Sequence, residues 1–248
     1  FKITLSLAKE FFDLCRTRSV SFTPLGSIQC WSARSAIQAA QALVKIGYDY
    51  IGLGGISAAK TSDILRLVSE VRSAIPSEVR LHLFGFNRTA HLDRFNALGV
   101  TSFDSTSPLL RAFKDDQGNY YTVSEESYTA IRVPSTAEDT IARKIMSALE
   151  SIAQFDGLLE REHGLQGEYS RALSHRPWEQ CPCPICSTMG VEVILYRGLN
   201  RNKRRGFHNL WAFHQRLQVI RNQMSMKTPC LRITQPNGRA IFSFAVNG

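Results

Sequence analysis

The sequence predicts an α/β protein built on a parallel sheet, and three observations carry that prediction. Four short apolar segments, GSIQ, YDYIGLGG, VRLHLFGF and VTSFDS, alternate with three segments of helical periodicity, ARSAIQAAQALVKIG, SAAKTSDILRLVSEVRSAI and NRTAHLDRFNALG. The units recur at a pitch of about 25 residues, enough for a helix to carry the chain back and start a parallel neighbour. Over 248 residues, 44% hydrophobic and 21% charged, the composition is that of a globular chain long enough for one large core or two smaller ones. A (β/α)8 barrel and a doubly wound open sheet both satisfy this pattern, although four strands alone do not close a barrel.

Each element follows from local chemistry. Leu5, Ala8, Phe11, Phe12 and Cys15 recur near the 3.6-residue period, so Leu5 to Arg18 reads as an amphipathic helix. SFTPLGSIQC is a turn entering a buried strand, and Ser32 caps a helix that ends near Gly47. From Arg111 to Gln180 the periodicity weakens: KDDQGNYYTVSEESY carries turn signals and a hairpin, and a long helix follows, capped by Ser135 and Glu138. Leu210 to Met224 reads as helix, and CLRITQPNGRAIFSFAV as a hairpin about Pro236-Asn237-Gly238. The expected division is residues 1–113 for the sheet domain, 114–180 for a helical insertion, and 181–248 for a C-terminal subdomain. The opening FKITLSLAKEFFDLC resembles the middle of a domain, so an N-terminal part with further strands is expected.

Cysteine usage points to a metal. Cys181, Cys183 and Cys186, in CPCPIC, lie close enough for three thiolates to converge on one ion, and His208 or His214 can supply a nitrogen. We expect His208, which follows a tight Arg205-Gly206 bend, to complete a Cys3His zinc site. Such a shell leaves no position open for water, so the zinc is expected to be structural and a zinc hydrolase is disfavoured.

The net charge of +9 is concentrated. From Val191 onward ten basic residues face one acid, Glu192, so this tail carries the whole excess. Arg201, Lys203, Arg204 and Arg205, interleaved with Phe207, Trp211 and Phe213, form the footprint of a nucleic-acid-binding face. No apolar run is long enough to span a bilayer and no signal peptide is present, so no membrane partner is expected and the cytoplasm is the default.

Chemically suggestive residues fall where strands end, the place at which α/β folds build sites. Gln29 follows the first strand; its amide fork suits the edge of a nucleobase, or is satisfied by backbone. Gly54 and Gly55 follow the second, and either admit a flat ligand close to the backbone or serve a tight turn. Phe84 can stack on a base or fill the core. Asp104, followed by Ser105, Thr106 and Ser107, is a nucleophile, a metal ligand, a general base or a turn cap.

In order and spacing, GSIQ, GYDYIGLGGIS, LHLFGF, GVTSFDSTSP, C-x-C-x2-C and HNL resemble the guanine transglycosylases, the queuine and archaeosine tRNA-ribosyltransferases. The resemblance covers about Pro24 to Arg111 and Cys181 to Gln215. It implies the C-terminal half of a (β/α)8 barrel with a zinc subdomain that helps dock nucleic acid. It also implies exchange of guanine for a 7-deazaguanine base through a covalent glycosyl intermediate on Asp104. Gln29 would then bond one base edge and the Gly54-Gly55-Ile56 backbone the other, with His82 and Phe84 walling the ring and Cys181, Cys183, Cys186 and His208 on zinc. There are departures. The family's Pro-Thr-Arg is here Pro108-Leu109-Leu110 with Arg111 one place late, the stretch between Asp104 and Cys181 is longer, and a second acid near the barrel's start has no counterpart. With NKRRGFHNLWAFHQRL, these resemble the DpdA branch, which acts on DNA; DNA and tRNA both remain as expected partners, with a homodimer or a partner subunit. The competing expectation is a noncatalytic zinc module or subunit that binds nucleic acid and needs no acid at position 104.

Overall fold

The computed structural model describes residues 2–114, 117–124, 126–132, 167–196 and 198–227, with side chains to Gln223. Two compact units result, one running through Ser105 and one from Thr106 to Met226. The expected helix capped by Ser135 and Glu138 and the hairpin about Pro236-Asn237-Gly238 lie outside the described residues.

In the first unit the order is α1 (Lys2–Thr17), β1 (Gly26–Gln29), α2 (Ala33–Ile46), β2 (Tyr50–Gly54), α3 (Thr61–Ser73), β3 (Arg80–Leu83), a 3-10 turn (Thr89–His91) leading into α4 (Leu92–Ala97), and β4 (Val100–Phe103). Ser32 and Ser35 cap α2 reciprocally, each side chain bonding the other's backbone N–H. That satisfies two of the amides a helix start leaves open. α1 presents Leu5, Ala8 and Phe12 to the core and buries Cys15, but Phe11, expected inward, is 45% exposed.

The four strands are all parallel and lie in the order β1-β2-β3-β4. Among the described residues nothing reverses that order, so no switch point of the doubly wound kind falls within these four strands. One face carries Ile28, Ile51, Leu53, Leu81 and Leu83, which pack with Ala36, Ala40 and Leu43 of α2 and Ile64, Val68 and Val71 of α3 into a single core. The other face carries Ser27 and Gln29, Tyr50, Gly52 and Gly54, His82, and Ser102. Parallel sheets are ordinarily buried on both faces, so this polar, partly exposed face is the unusual one.

A register shift between Leu81 and His82 sets that face. Leu81 pairs with Val100, yet His82 pairs with Ser102 and Leu83 with Phe103, leaving Thr101 as the extra residue. Because side chains alternate with period two, one inserted residue exchanges the faces of everything after it. Phe103 thereby joins the apolar core and Ser102 and Asp104 come to the face of His82.

The second unit contains α5 (Ser107–Lys114), an antiparallel hairpin of β5 (Tyr120–Tyr121) and β6 (Ser127–Tyr128), β7 (Ile131–Arg132), α6 (Glu168–His175), α7 (Pro184–Met189), a 3-10 turn (Gly190–Ile194), β8 (Leu195–Tyr196) parallel to β7, and α8 (Leu199–Lys227). Tyr120, Tyr128, Ile131, Tyr169, Leu173 and Trp178 share one core with Cys183, Cys186, Val193 and Leu195. Packing therefore divides the described chain at Ser105. α8 begins eleven residues before the expected Leu210, so Arg205 and Gly206 lie inside a helix and no bend precedes His208.

Candidate functional sites

On the polar face of the first unit, the sequence-predicted residues come together. Gly54 ends β2 opposite Gln29, and Gly55 follows at φ +76°, a conformation L side chains rarely adopt. A Cβ at Gly54 would lie 3.3 Å from Gln29 Nε2, and one at Gly55 3.0 Å from Gln29 Oε1, so the amide of Gln29 lies directly over the glycine pair. Gln29 is exposed, and its side-chain amide makes no hydrogen bond among the described residues, so that its donor and acceptor are open to a ligand. Ile56 is buried, 2% exposed, and anchors the loop in the core. Arg88 ties that loop down from the far side, donating to the carbonyls of Ser57 at 3.2 Å and Ala59 at 2.6 Å.

One strand further, the ring of Phe84 stands edge-on to His82 with centroids 4.5 Å apart. His82 does more than wall a pocket. Its Nε2 lies 3.2 Å from Asp104 Oδ1, and its Nδ1 lies 2.6 Å from Ser102 Oγ, which is itself in contact with Tyr50 Oη. Gly85 donates its backbone N–H to the same Oδ1 at 3.2 Å. Asp104 thus has one oxygen held by two donors, while its side chain stays 54% exposed. A carboxylate so held is poised to meet an electrophile from the open side. Cys30, which follows Gln29 in the chain, is pushed up to about 11 by burial and stays a thiol at neutral pH. Tyr50, Gly52 and Ser102 carry no signal legible before the fold, because their roles depend on pairing register.

In the second unit, Cys181, Cys183, Cys186 and His208 place their four ligand atoms within 4.8 Å of one another, a group that could hold a metal ion. His208 Nδ1 is 3.7 Å from Cys181 Sγ and 3.3 Å from both Cys183 Sγ and Cys186 Sγ. Tetrahedral zinc with ordinary bond lengths would separate nitrogen from sulfur by about 3.6 Å, so the donors fit that ion in type and spacing. Nε2 of His208 faces the carbonyl of Tyr121 at 2.7 Å, which assigns its proton there and leaves Nδ1 for the metal. The ring of Tyr120 stacks on His208 at 4.1 Å and its hydroxyl lies 3.3 Å from Cys186 Sγ. His214, the alternative ligand, is exposed and lies 3.1 Å from Gln218 Nε2.

The expected basic face needs correction. Arg205 is fully buried, its guanidinium donating to the carbonyls of Val193, Leu195 and Ala112 and to Asn202 Oδ1. Arg201 pairs with Glu192 at 3.5 Å. Of the four, only Lys203 and Arg204 are exposed, on α8 beside Phe207, itself 54% exposed. Charge alone cannot distinguish these roles; a helix period over 199–210 would have shown that Arg205 shares a face with His208 and Asn209. Asn209, also buried, accepts from Tyr121 N–H and donates to Pro108 and Asn119 carbonyls, a structural role for the HNL string. Arg111, the displaced arginine, donates to Tyr121 Oη at 3.2 Å.

Residues 2–228 match the family described as queuine tRNA-ribosyltransferase. The chain is 36% identical over 251 residues to the DNA-guanine transglycosylase of Salmonella montevideo, covering 87% of this chain and 60% of that protein. It is 27% identical over 184 residues to the tRNA-guanine(15) transglycosylase of Archaeoglobus fulgidus, covering 71% of this chain and 28% of that protein. The chain thus spans less than two thirds of the length of either relative.

Proposed function

The chain belongs to the queuine tRNA-ribosyltransferase family, and we propose that it is the part of a DNA-guanine transglycosylase that carries the reacting carboxylate and a structural zinc. The reading rests on Asp104: an exposed carboxylate, one oxygen pinned by Gly85 N–H and His82, on the sheet face that also carries Gln29 and the glycine pair. The identity of 36% with a DNA-acting relative favours DNA over tRNA as the polymer.

In this mechanism a carboxylate oxygen of Asp104 bonds to C1′ of the target sugar as the C1′–N9 bond of guanine breaks. The bonding pair leaves with guanine, which takes a proton from water. The resulting glycosyl ester splits one hard displacement into two easier ones. A 7-deazaguanine, losing its N9 proton to water, then attacks C1′ and releases the Asp104 carboxylate. Gln29 supplies a donor and an acceptor for one base edge, the Gly54-Gly55-Ile56 backbone meets the other, and Phe84 covers the ring. The same polar sheet face is the one that further strands of a (β/α)8 barrel would enclose.

Cys181, Cys183, Cys186 and His208 would hold the zinc, which supplies a rigid cross-link and no open position for chemistry. Lys203 and Arg204 are the cations we assign to phosphate contact, with Phe207 beside them.

Incubating the full-length protein with guanine-containing DNA, without the incoming base, tests the reading. A denaturation-resistant adduct is expected, absent from Asp104→Asn, along with exchange of labelled guanine into DNA and not tRNA. Equal DNA binding by parent and variant, with neither adduct nor exchange on either polymer, would leave the noncatalytic reading in its place.

A further inference from the structure

We propose that Tyr50 and Ser102 are positioning residues for Asp104, acting through His82. The proposal rests on the base-exchange reading of that carboxylate and extends it to residues that touch no substrate.

Proton counting fixes the direction of the chain. An ionised carboxylate only accepts hydrogen bonds, so the 3.2 Å contact to Asp104 Oδ1 requires the proton on His82 Nε2. A neutral imidazole then has Nδ1 as an acceptor, and Ser102, 2.6 Å away, must give it the single hydroxyl proton it has. Ser102 Oγ can thereafter only accept, and the hydroxyl in contact with it is that of Tyr50, which donates. Tyr50, Ser102 and His82 thus form one polarised line of donors ending on Asp104. An imidazolium at His82 would put a second proton on Nδ1, so Ser102 Oγ would have to accept there and turn its own hydrogen away.

The line has a second consequence. Nε2–H of His82 and N–H of Gly85 both occupy Oδ1, and no donor among the described residues reaches Oδ2. Oδ2 is therefore the oxygen left to form the bond to C1′, while Oδ1 becomes the ester carbonyl and recovers its charge, against two waiting donors, when the ester is displaced. The bulge that leaves Thr101 unpaired is what brings Ser102 opposite His82; without it the hydroxyl would point into the apolar core. Beside the line stands Arg80, whose guanidinium lies over the Tyr50 ring at 4.7 Å and pairs with Asp49. It holds the ring and stays outside the hydrogen-bonded line.

The test uses full-length protein carrying 15N-labelled histidine, with Ser102→Ala, Ser102→Thr and Tyr50→Phe. In the parent, the nitrogen shifts of His82 should report a protonated Nε2 and a bare Nδ1. In Ser102→Ala and Tyr50→Phe that preference should weaken, and single-turnover adduct formation should fall about tenfold, as when a partner that orients a catalytic imidazole is lost, with KM for DNA within about twofold. Ser102→Thr, which keeps the hydroxyl, should restore both. Folded Ser102→Ala and Tyr50→Phe proteins with the parental tautomer and parental rate would overturn the proposal, as would a rate loss that merely tracks a fall in melting temperature. A parent that shows the tautomer but forms no adduct would overturn the base-exchange reading and leave the hydrogen-bonded line standing.

Discussion

The ring of Phe84 lies across Gly52, filling the space where a side chain at that position of β2 would stand. A Cβ there would come within 2.4 Å of Phe84 Cε2 and 2.8 Å of Leu25 Cδ2. Glycine in a strand ordinarily costs stability; here it lets an aromatic from the neighbouring strand end come close to the backbone of β2. Gly52→Ala should therefore displace Phe84, destabilise the first unit by about 1–3 kcal/mol in denaturant titration, and weaken base binding. Gly52→Ala combined with Phe84→Leu should recover most of the stability and none of the base affinity.

The buried and exposed cations of α8 should separate cleanly under mutation. Arg205→Leu removes the donor for three buried carbonyls and the Asn202 amide, each worth roughly 1–3 kcal/mol when left unsatisfied, for a loss on the order of 3–5 kcal/mol. Burial lowers the Arg205 guanidinium to about 10, so it remains charged at neutral pH. Lys203→Ala and Arg204→Ala should change stability by less than about 0.5 kcal/mol. Each should instead flatten the salt dependence of DNA binding by about one unit in log–log slope, read by fluorescence anisotropy across salt.

Metal removal should be pH-dependent in a defined direction. Without metal, a hydrogen bond from Cys186 holds the Cys181 thiol down to about 4, against burial and with help from His208. Burial lowers His208, but bonds to Cys181 and Cys183 outweigh it and raise the ring to about 9. The depressed thiol contributes stability that is full above its ordinary 9.0 and lost as pH falls through about 4. The raised imidazole contributes stability that is full below its ordinary 6.5 and lost as pH rises through about 9. Metal must displace the His208 proton, so zinc affinity should climb from pH 6 to about 9 with proton release on binding. Competition titration against a chromogenic chelator reads this, and His208→Ala should abolish stoichiometric zinc while leaving the first unit folded.

How far the sequence could be read depends on what each residue needs from its neighbours. Alternating strands and helices, the Ser32 cap and the cysteine cluster were legible because period, cap and ligand spacing are local properties. Gln29, Gly54 and Asp104 were legible as candidates because they stand at strand ends. The extra residue at Thr101 was not, since a bulge is a relation between two strands, and with it went the partnership of Ser102 with His82. Arg205 was misread for a related reason: a run of basic residues has no direction until the helix that carries it is known to begin at Leu199.

Gln29 and Gly55 should be energetically coupled although neither bonds the other. The amide sits 3.0 Å from where a Cβ at Gly55 would be, and φ at that residue is +76°, so Gly55→Ala both strains the loop and pushes the amide off the base position. Gln29→Ala should weaken binding of a guanine-type base by about 1–3 kcal/mol, the cost of leaving the base's polar edge unpaired. If Gly55 matters chiefly by making room for that amide, Gly55→Ala should cost much less base affinity in a Gln29→Ala background than in the parent. A coupling of about 1 kcal/mol in a double-mutant cycle of base affinity is expected, whereas strict additivity would mean that the glycine serves the turn alone.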